Sequence, residues 1–288
     1  MPSTAQQVSL DDINYLHNVF VLSGNPNSPY WFLGPEAVEH PGPSESVDHF
    51  MHSLLHKAKR FETSGTVSLR DIYGGDTDTY LPEIIEASAQ DTTDTTYHTT
   101  WGGYIKLLLS LDQARHDLPG NWDLDDIKRY QKNYLGSLES RDNIPDACIM
   151  ELFPMAREGR KRGRWPYSAL DTRDGLEFFA SAKHYLEYAT SRRTRVFLDA
   201  VQKHQPEYLF CFGGDCKKAV LPHLQAEHIS LSIPTKNKDA QVQVVEHGAT
   251  KFVFSCHPTS SATSDHYWTT LGKQLAQLGG DTLATKAA

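Results

Sequence analysis

The sequence has few cysteines, and none of them form a tight pair. Its 288 residues include only Cys148, Cys211, Cys216 and Cys256, without the CxxC spacing of zinc or thiol-redox sites. A disulfide framework, a structural metal and an iron–sulfur cluster are therefore not expected, and we predict no cofactor. Most of these cysteines lie in apolar, strand-like segments, where a free thiol behaves as a small buried hydrophobe.

Long apolar runs are also missing. No segment approaches the roughly 20 apolar residues of a membrane-spanning helix, and Met1–Val19 is polar, without the basic start and apolar core of a secretion signal. We therefore expect a cytoplasmic protein with no membrane partner. The 39% hydrophobic and 22% charged composition is that of an ordinary globular protein. We predict a monomer, with one domain over residues 1–280 and a disordered tail over 281–288.

Positive charge is in deficit overall but is concentrated in one place. The formal net charge of -8 argues against a protein that coats nucleic acid non-specifically. The segment 157–164 nevertheless contains a single acid, Glu158, among its cations. These cations are Arg157, Arg160, Lys161, Arg162 and Arg164. The cluster suits a groove that follows a DNA strand, with Trp165 or Tyr167 beside it to stack on a base or wedge into the duplex. A solvated loop is the alternative.

Buried strands alternate with helical patterns along the chain. Four short apolar segments have strand character: Tyr30–Leu33, Ala147–Leu152, Tyr208–Phe212 and Phe252–Cys256. Helical patterns occupy Val47–Arg60, Thr99–Leu111, Leu124–Leu135, Asp174–Thr190, Val196–Val201, Cys216–Leu224 and Trp268–Leu278. This alternation predicts an α/β protein, a three-layer α/β/α sandwich around a central, mostly parallel four-stranded sheet. Ile229–Ile233 and Val242–Val245 are predicted to form an extra hairpin.

Each of the four predicted strands leads into a short loop. These loops are Gly34–Ala37, Glu151–Pro154, Gly213–Asp215 and His257–Ser261. The carboxyl ends of parallel strands meet at one edge of the sheet, where ligands of open α/β sheets bind. We therefore expect the four loops to converge on one site.

The motifs at these four positions resemble those of the uracil-DNA glycosylase superfamily. Trp31–Ala37 (WFLGPEA) is a strand that ends in Gly and an acidic residue, and Phe252–Ser261 (FVFSCHPTSS) is a strand that leads into His-Pro and small polar residues. Between them, Ile149–Pro154 occupies the place of the base-recognition strand and Leu209–Gly214 that of the third strand with its Gly turn. Each motif is weak alone, but together they cover roughly residues 30–278 in the right order.

The resemblance implies a DNA glycosylase, which hydrolyses the N-glycosidic bond of a flipped-out base and leaves an abasic site. Glu36 would stabilise the positive charge on the sugar and activate water. His257 would donate a hydrogen bond to the departing base. Glu151 and Phe153 would recognise the base. Phosphates would be held by Thr259, Ser260 and Ser261, together with the basic cluster and Trp165. A helix cap at Glu36 and a structural His-Pro turn are the alternatives.

Glu151 departs from the family pattern. Uracil-excising members carry Asn here, whose amide pairs with both the carbonyl and the N–H of uracil. A carboxylate accepts from an exocyclic amine, such as cytosine N4, and cannot donate to a carbonyl. Some family members act on the modified cytosines of phage DNA, including glucosylated hydroxymethylcytosine, and we predict a substrate of this kind. A solvated strand-end Glu151 is the structural alternative.

Three other functions remain open. Uracil-DNA glycosylase in base-excision repair is the first, and a non-catalytic reader of flipped bases is the second. A hydrolase of free nucleosides is the third, although it would not need the basic cluster. A metal site on His49, His52 and His56, which share a predicted helix face, is not favoured.

Overall fold

A computed structural model describes most of the chain. It covers residues 7–19, 22–36, 41, 45–64, 99–116, 147–155, 165–235, 238–258, 260 and 263–286. The predicted helix Leu124–Leu135 lies outside these residues.

The described residues form seven strands and six α-helices. The strands are β1 (Leu22–Gly24), β2 (Tyr30–Glu36), β3 (Ala147–Phe153), β4 (Tyr208–Phe212), β5 (His228–Ile233), β6 (Ala240–His247) and β7 (Thr250–Ser255). The α-helices are α1 (Leu10–Asn18), α2 (Val47–Ser64), α3 (Thr99–Arg115), α4 (Ala182–His204), α5 (Gly213–Val220) and α6 (Asp265–Lys286). Short 3-10 turns lie at Pro166–Leu170, Glu177–Ala180 and Leu221–His223. No helix in the described ranges is long and apolar enough to span a bilayer.

The strands make one mixed sheet with the order β1-β3-β2-β4-β7-β6-β5. The four strands predicted from the sequence are its centre, because β3, β2, β4 and β7 are neighbours and mutually parallel. The α/β class is therefore confirmed, but the sheet has seven strands rather than four. β1 adds antiparallel to β3, and the predicted β5–β6 hairpin joins the same sheet because β6 pairs antiparallel with β7.

Helices cover both faces of the sheet. Side chains alternate between faces along each strand, so Trp31 and Leu33 enter one apolar core and Phe32 the other. The first core is completed by α1, α2, α4 and α5, and the second by α3 and α6. Gly272 of α6 lies so close to α3 that a Cβ there would be 2.6 Å from Ser110 Cβ. The result is three layers with a core on each side.

Two helix boundaries differ from those predicted. Residues 182–190 of the pattern Asp174–Thr190 and the whole pattern Val196–Val201 belong to a single helix, α4, whose N-cap is Ser181, whereas Glu177–Ala180 is a 3-10 turn. The polar, buried pair Arg193 and Thr194 interrupts its apolar period. The last helix continues to Lys286, so most of the segment predicted as a disordered tail is helical. Leu, Ala and Lys favour the helix there, which offsets the Gly-Gly pair that precedes them.

A buried arginine fastens α1 to the sheet. Arg193 is 2% exposed and donates its Nε to Leu152 O of β3 at 2.9 Å. Its Nη1 donates to three carbonyls at the end of α1, of which Val19 O is the nearest at 2.7 Å. Burial lowers the pKa of Arg193 to about 10, so the guanidinium remains charged at neutral pH. One side chain thus joins the end of α1 to the last residues of β3.

All four cysteines are free thiols. Three of them, Cys148, Cys211 and Cys216, are buried, and Cys256 is partly exposed. Burial raises the pKa of each of the three buried thiols. Cys148 and Cys211 are packing residues, as their apolar strands predict, but Cys216 is buried in a polar sequence context and Cys256 is partly exposed although its segment is apolar.

Candidate active site

The described parts of the four predicted loops lie at one edge of the sheet, but most of them are not loops. Residues 34–36 end β2, residues 151–153 end β3 and residues 213–215 begin α5. Leu33, Cys211 and Phe254 lie level with one another on β2, β4 and β7. Glu36 is three residues after Leu33, and His257 is three residues after Phe254. Since neighbouring strands are about 4.8 Å apart, the backbones of β2 and β7 are separated by about 10 Å, with β4 between them. Glu36 and His257 therefore flank the carboxyl end of β4.

Glu151 lies against Gly34 on the neighbouring strand. The two residues are level in the parallel β2–β3 pair, and Glu36 is level with Phe153 two positions later. A Cβ on Gly34 would collide with Glu151 Oε2, and it would lie 2.9 Å from Cδ and 3.0 Å from Oε1. Oε2 is shielded from solvent. The whole carboxyl group of Glu151 therefore lies over the bare Cα of Gly34.

The first turn of α5 borders the same position. β4 ends at Phe212, and Gly213 turns the chain with a φ of +85°, a backbone conformation that favours glycine. Cys216, in the first turn, donates its thiol to Leu33 O at 3.7 Å. Burial is the main cause of its raised pKa, and the charge of Glu151 contributes to it. Glu151 thus lies close to the positive end of this helix.

The His-Pro turn has a defined geometry. Ser260 N donates to His257 O at 2.8 Å, which closes a β-turn, and Thr263 Oγ1 is 3.0 Å from Pro258 O and 2.8 Å from Ser260 O. Ser264 Oγ then accepts from Tyr267 N at 3.3 Å at the start of α6. Sequence reasoning did not single out Thr263, although a hydroxyl residue after a turn is a recognised signal. This network fixes the backbone that carries His257.

A buried tyrosine supports the residue before His257. Tyr267 is fully buried, and its hydroxyl accepts from Cys256 N at 3.4 Å. Burial raises its pKa, and so does the neighbouring Cys256. Tyr267 therefore remains neutral and ties α6 to the end of β7. Nothing in its sequence context indicates this contact, because its partner is a backbone amide.

Three predicted aromatic residues lie in the first core. Phe153 is 3% exposed with its ring 6.5 Å from that of Tyr185, and Tyr167 is fully buried. Trp165 donates Nε1 to Phe179 O at 2.6 Å, and its ring lies 4.7 Å from that of Tyr167. These contacts give Phe153, Trp165 and Tyr167 packing roles. The arrangement does not favour the predicted roles of Tyr167 and Trp165 in stacking on a base.

Several predicted site residues fall outside what the structure describes. They are Arg157, Arg160, Lys161, Arg162, Arg164, Thr259 and Ser261. For Glu36 the structure describes the backbone alone, at the last position of β2. The described sequence on either side of the basic cluster is nevertheless fixed, since Met155 is buried and Trp165 is anchored at Phe179.

The histidine face of α2 is engaged in other contacts. Asp48 of that helix makes a two-pronged ion pair with Arg173, at 2.6 and 2.7 Å, and its charge also interacts with His52. Arg173 holds the pKa of Asp48 below its usual value. Within the described ranges, no group of three or more His, Cys, Asp and Glu side chains is arranged to hold a metal ion.

No protein-family model matches the sequence, and neither does any curated protein. The motifs and their geometry therefore carry the functional argument.

Proposed function

We propose that the protein is a DNA glycosylase of the uracil-DNA glycosylase type, which hydrolyses the N-glycosidic bond of a flipped-out base. The observation that supports this most is the shared edge of β2, β3, β4 and β7. Glu36 at the end of β2, the Glu151 carboxylate near the end of β3 and His257 after β7 lie at this edge. These are the three kinds of group that the reaction needs.

The chemistry assigns a role to each group. Departure of the base leaves positive charge on the sugar, which Glu36 stabilises while it activates the attacking water. Negative charge develops on the base, and His257 donates a hydrogen bond to it. The separation of about 10 Å between β2 and β7 leaves room between the two groups. Ser260 lies three residues after the partly exposed His257, and in this proposal it contacts the DNA backbone.

The proposed substrate is a modified cytosine, such as glucosylated hydroxymethylcytosine in phage DNA. Its N4 amine donates to the Glu151 carboxylate, whereas O4 of uracil would be repelled by it. A buried group left unpaired in this way costs roughly 1–3 kcal/mol. Unmodified cytosine has the same amine and must be rejected by contacts to the C5 substituent, or the host genome would be damaged.

The first experiment tests catalysis. The protein is incubated with oligonucleotides that carry different bases, and free base and abasic sites are measured. Glu36→Gln is expected to retain the fold and DNA binding and to lose two to three orders of magnitude in excision, roughly 3–4 kcal/mol. Glu187→Gln, the same change at an exposed position of α4, is the control. Equal turnover by the two variants would make Glu36 a bystander.

The second experiment tests the base. Glu151→Asn is expected to shift preference from modified cytosine toward uracil, because an amide both donates and accepts. Ready release of uracil by the parent protein, with no release of any modified cytosine, would replace this substrate with the repair function. Tight binding of flipped bases without release would indicate the non-catalytic reader.

The third experiment separates a DNA substrate from a free nucleoside. Affinity for DNA is measured against salt concentration after Arg160, Lys161 and Arg162 are replaced by Ala. The slope is expected to fall by about 0.9 for each duplex phosphate contact that is lost. Neutralising the exposed Lys183, Arg195 and Lys203 of α4 is the matched control. A flat salt dependence in the parent protein would favour a hydrolase of free nucleosides.

A further inference from the structure

The space above Gly34 is filled by the carboxyl group of Glu151. Three atoms of that group lie within 3.0 Å of the point where a Cβ on residue 34 would be. Real Cβ atoms do not make such contacts. Gly34 is not among the described residues with a positive φ, so the need for glycine here comes from lack of space and not from backbone conformation.

A side chain at position 34 would move the carboxylate rather than the strands. The crowding atoms belong to the far end of a flexible side chain, and the backbones of β2 and β3 are held by parallel pairing over six registered positions. The carboxyl group can rotate away at a modest energetic cost. A substitution at Gly34 is therefore expected to change the position of the Glu151 oxygens while the fold survives.

The first turn of α5 lies near the same carboxylate. The charge of Glu151 contributes to the raised pKa of the buried Cys216 thiol in that turn, and the thiol donates a hydrogen bond to Leu33 O. Leu33 directly precedes Gly34, so this hydrogen bond holds the first turn of α5 next to the part of β2 that carries Gly34. The positive end of α5 attracts negative charge, and a carboxylate only accepts hydrogen bonds.

We infer that Gly34 is a specificity-determining residue, which acts with Glu151 as one recognition unit for bases that present an exocyclic amine. The inference rests on the proposed glycosylase function. The missing Cβ determines where the acceptor oxygens of Glu151 lie. Because a carboxylate only accepts hydrogen bonds, the base must present a donor there. Bases that present a carbonyl at that position are excluded by the same pair.

The test combines Gly34→Ala with a compensating change. Excision of a modified cytosine and of uracil is measured for the parent protein, Gly34→Ala, Glu151→Asp and the double variant. Gly34→Ala is expected to lower the ratio of kcat/KM for modified cytosine over uracil at least about tenfold. Glu151→Asp withdraws the carboxylate by one methylene, so in the double variant the ratio is expected to recover above that of Gly34→Ala.

Stability provides an independent readout. In urea denaturation, the effects of Gly34→Ala and Glu151→Asp on the midpoint are expected to be non-additive, because residues in contact couple. Gly214→Ala is the matched control for stability, since it lies at the same edge and a Cβ there meets nothing within 4 Å. It is expected not to lower the midpoint.

The outcomes distinguish this inference from the proposed function. A Gly34→Ala variant that loses the same factor on every base, or additive effects in urea, would overturn the recognition unit and leave the glycosylase in place. A parent protein that releases no base from any oligonucleotide would overturn the proposed function and, with it, the inference.

Discussion

Gly103 of α3 lies directly against Pro258, the residue that follows His257. A Cβ on Gly103 would be 2.5 Å from Pro258 Cβ and 3.3 Å from its Cα, with Trp268 Cζ2 at 3.2 Å. Unlike the carboxyl group over Gly34, these atoms belong to a rigid ring, to backbone and to a buried indole. The start of α3 is thus the support on which the His-Pro turn rests.

We predict that Gly103→Ala displaces His257. Overpacking at such a contact costs about 1–3 kcal/mol of stability, and we expect excision to fall tenfold or more because a small misplacement of a reacting group is costly. Gly272→Ala is the control, since it overpacks the same helix pair at Ser110, about 10 Å further along α3. Steady-state excision and urea denaturation are measured for both variants. Equal losses of activity would show that Gly103 acts only through stability.

A second prediction concerns His257 itself. If it stabilises the departing base, His257→Ala slows excision more for poor leaving bases than for good ones, because its hydrogen bond strengthens as charge develops. Single-turnover rates on a series of bases of graded leaving ability provide the measurement. His266→Ala, an exposed histidine in the first turn of α6, is the control. The same loss on every base would instead indicate a structural role in the turn.

The strands that form the site were predictable, but the reasons for its glycines were not. Tyr208–Phe212 was predicted with its observed bounds, because five consecutive apolar residues between turn signals indicate a buried parallel strand. β1, which has three residues and includes Ser23 and Gly24, has no such pattern and exists only through its pairing with β3. α1 was missed because its apolar face is short, although Ser9 and Asp12 form a capping box.

The local geometry of the site depends on contacts between distant segments. The need for glycine at position 34 follows from its register with Glu151. The need for glycine at position 103 follows from the His-Pro turn, more than 150 residues away in sequence. The sequence pattern around each glycine gives no sign of its neighbour. Trp165 and Tyr167 were predicted to contact DNA only because they lie beside the basic cluster in sequence. In the structure both pack in the first core.

A third prediction concerns the buried cation. Arg193→Met leaves the carbonyls of Leu16, His17, Val19 and Leu152 without this donor. Each of the four buried acceptors that loses its partner costs about 1–3 kcal/mol, so we expect a total loss of at least about 4 kcal/mol in urea denaturation. Arg195→Met, an exposed site on the same helix, is expected to stay within about 0.5 kcal/mol. A loss at Arg193 as small as at Arg195 would mean that these carbonyls find other donors.

The fourth prediction is a pH dependence of stability. Burial, together with the charges of Arg193 and Arg192, lowers the pKa of His17 to about 3. The unfolded chain takes up a proton near pH 6.5 while the folded chain does not, so stability is complete above that pH and falls as the pH drops toward 3. The slope is about 1.4 kcal/mol per pH unit.

His17→Phe removes the titrating group and is expected to flatten this slope, although it also loses the 3.2 Å contact between Nε2 and the Tyr185 hydroxyl. Unfolding free energies measured between pH 4 and 7 provide the check. His184→Gln, at an exposed position of α4, should leave the slope unchanged. An unaltered slope in His17→Phe would assign the acid sensitivity to other groups.

The distribution of the four thiols gives the protein built-in chemical reporters. Cys148, Cys211 and Cys216 are buried with raised pKa values, so an alkylating reagent reaches them only when the sheet opens. Cys256 is partly exposed and directly precedes His257. Its labelling rate is expected to follow access to the candidate site, while labelling of the other three is expected to follow unfolding. One reagent therefore distinguishes occupancy of the site from loss of the fold, without the introduction of any further cysteine.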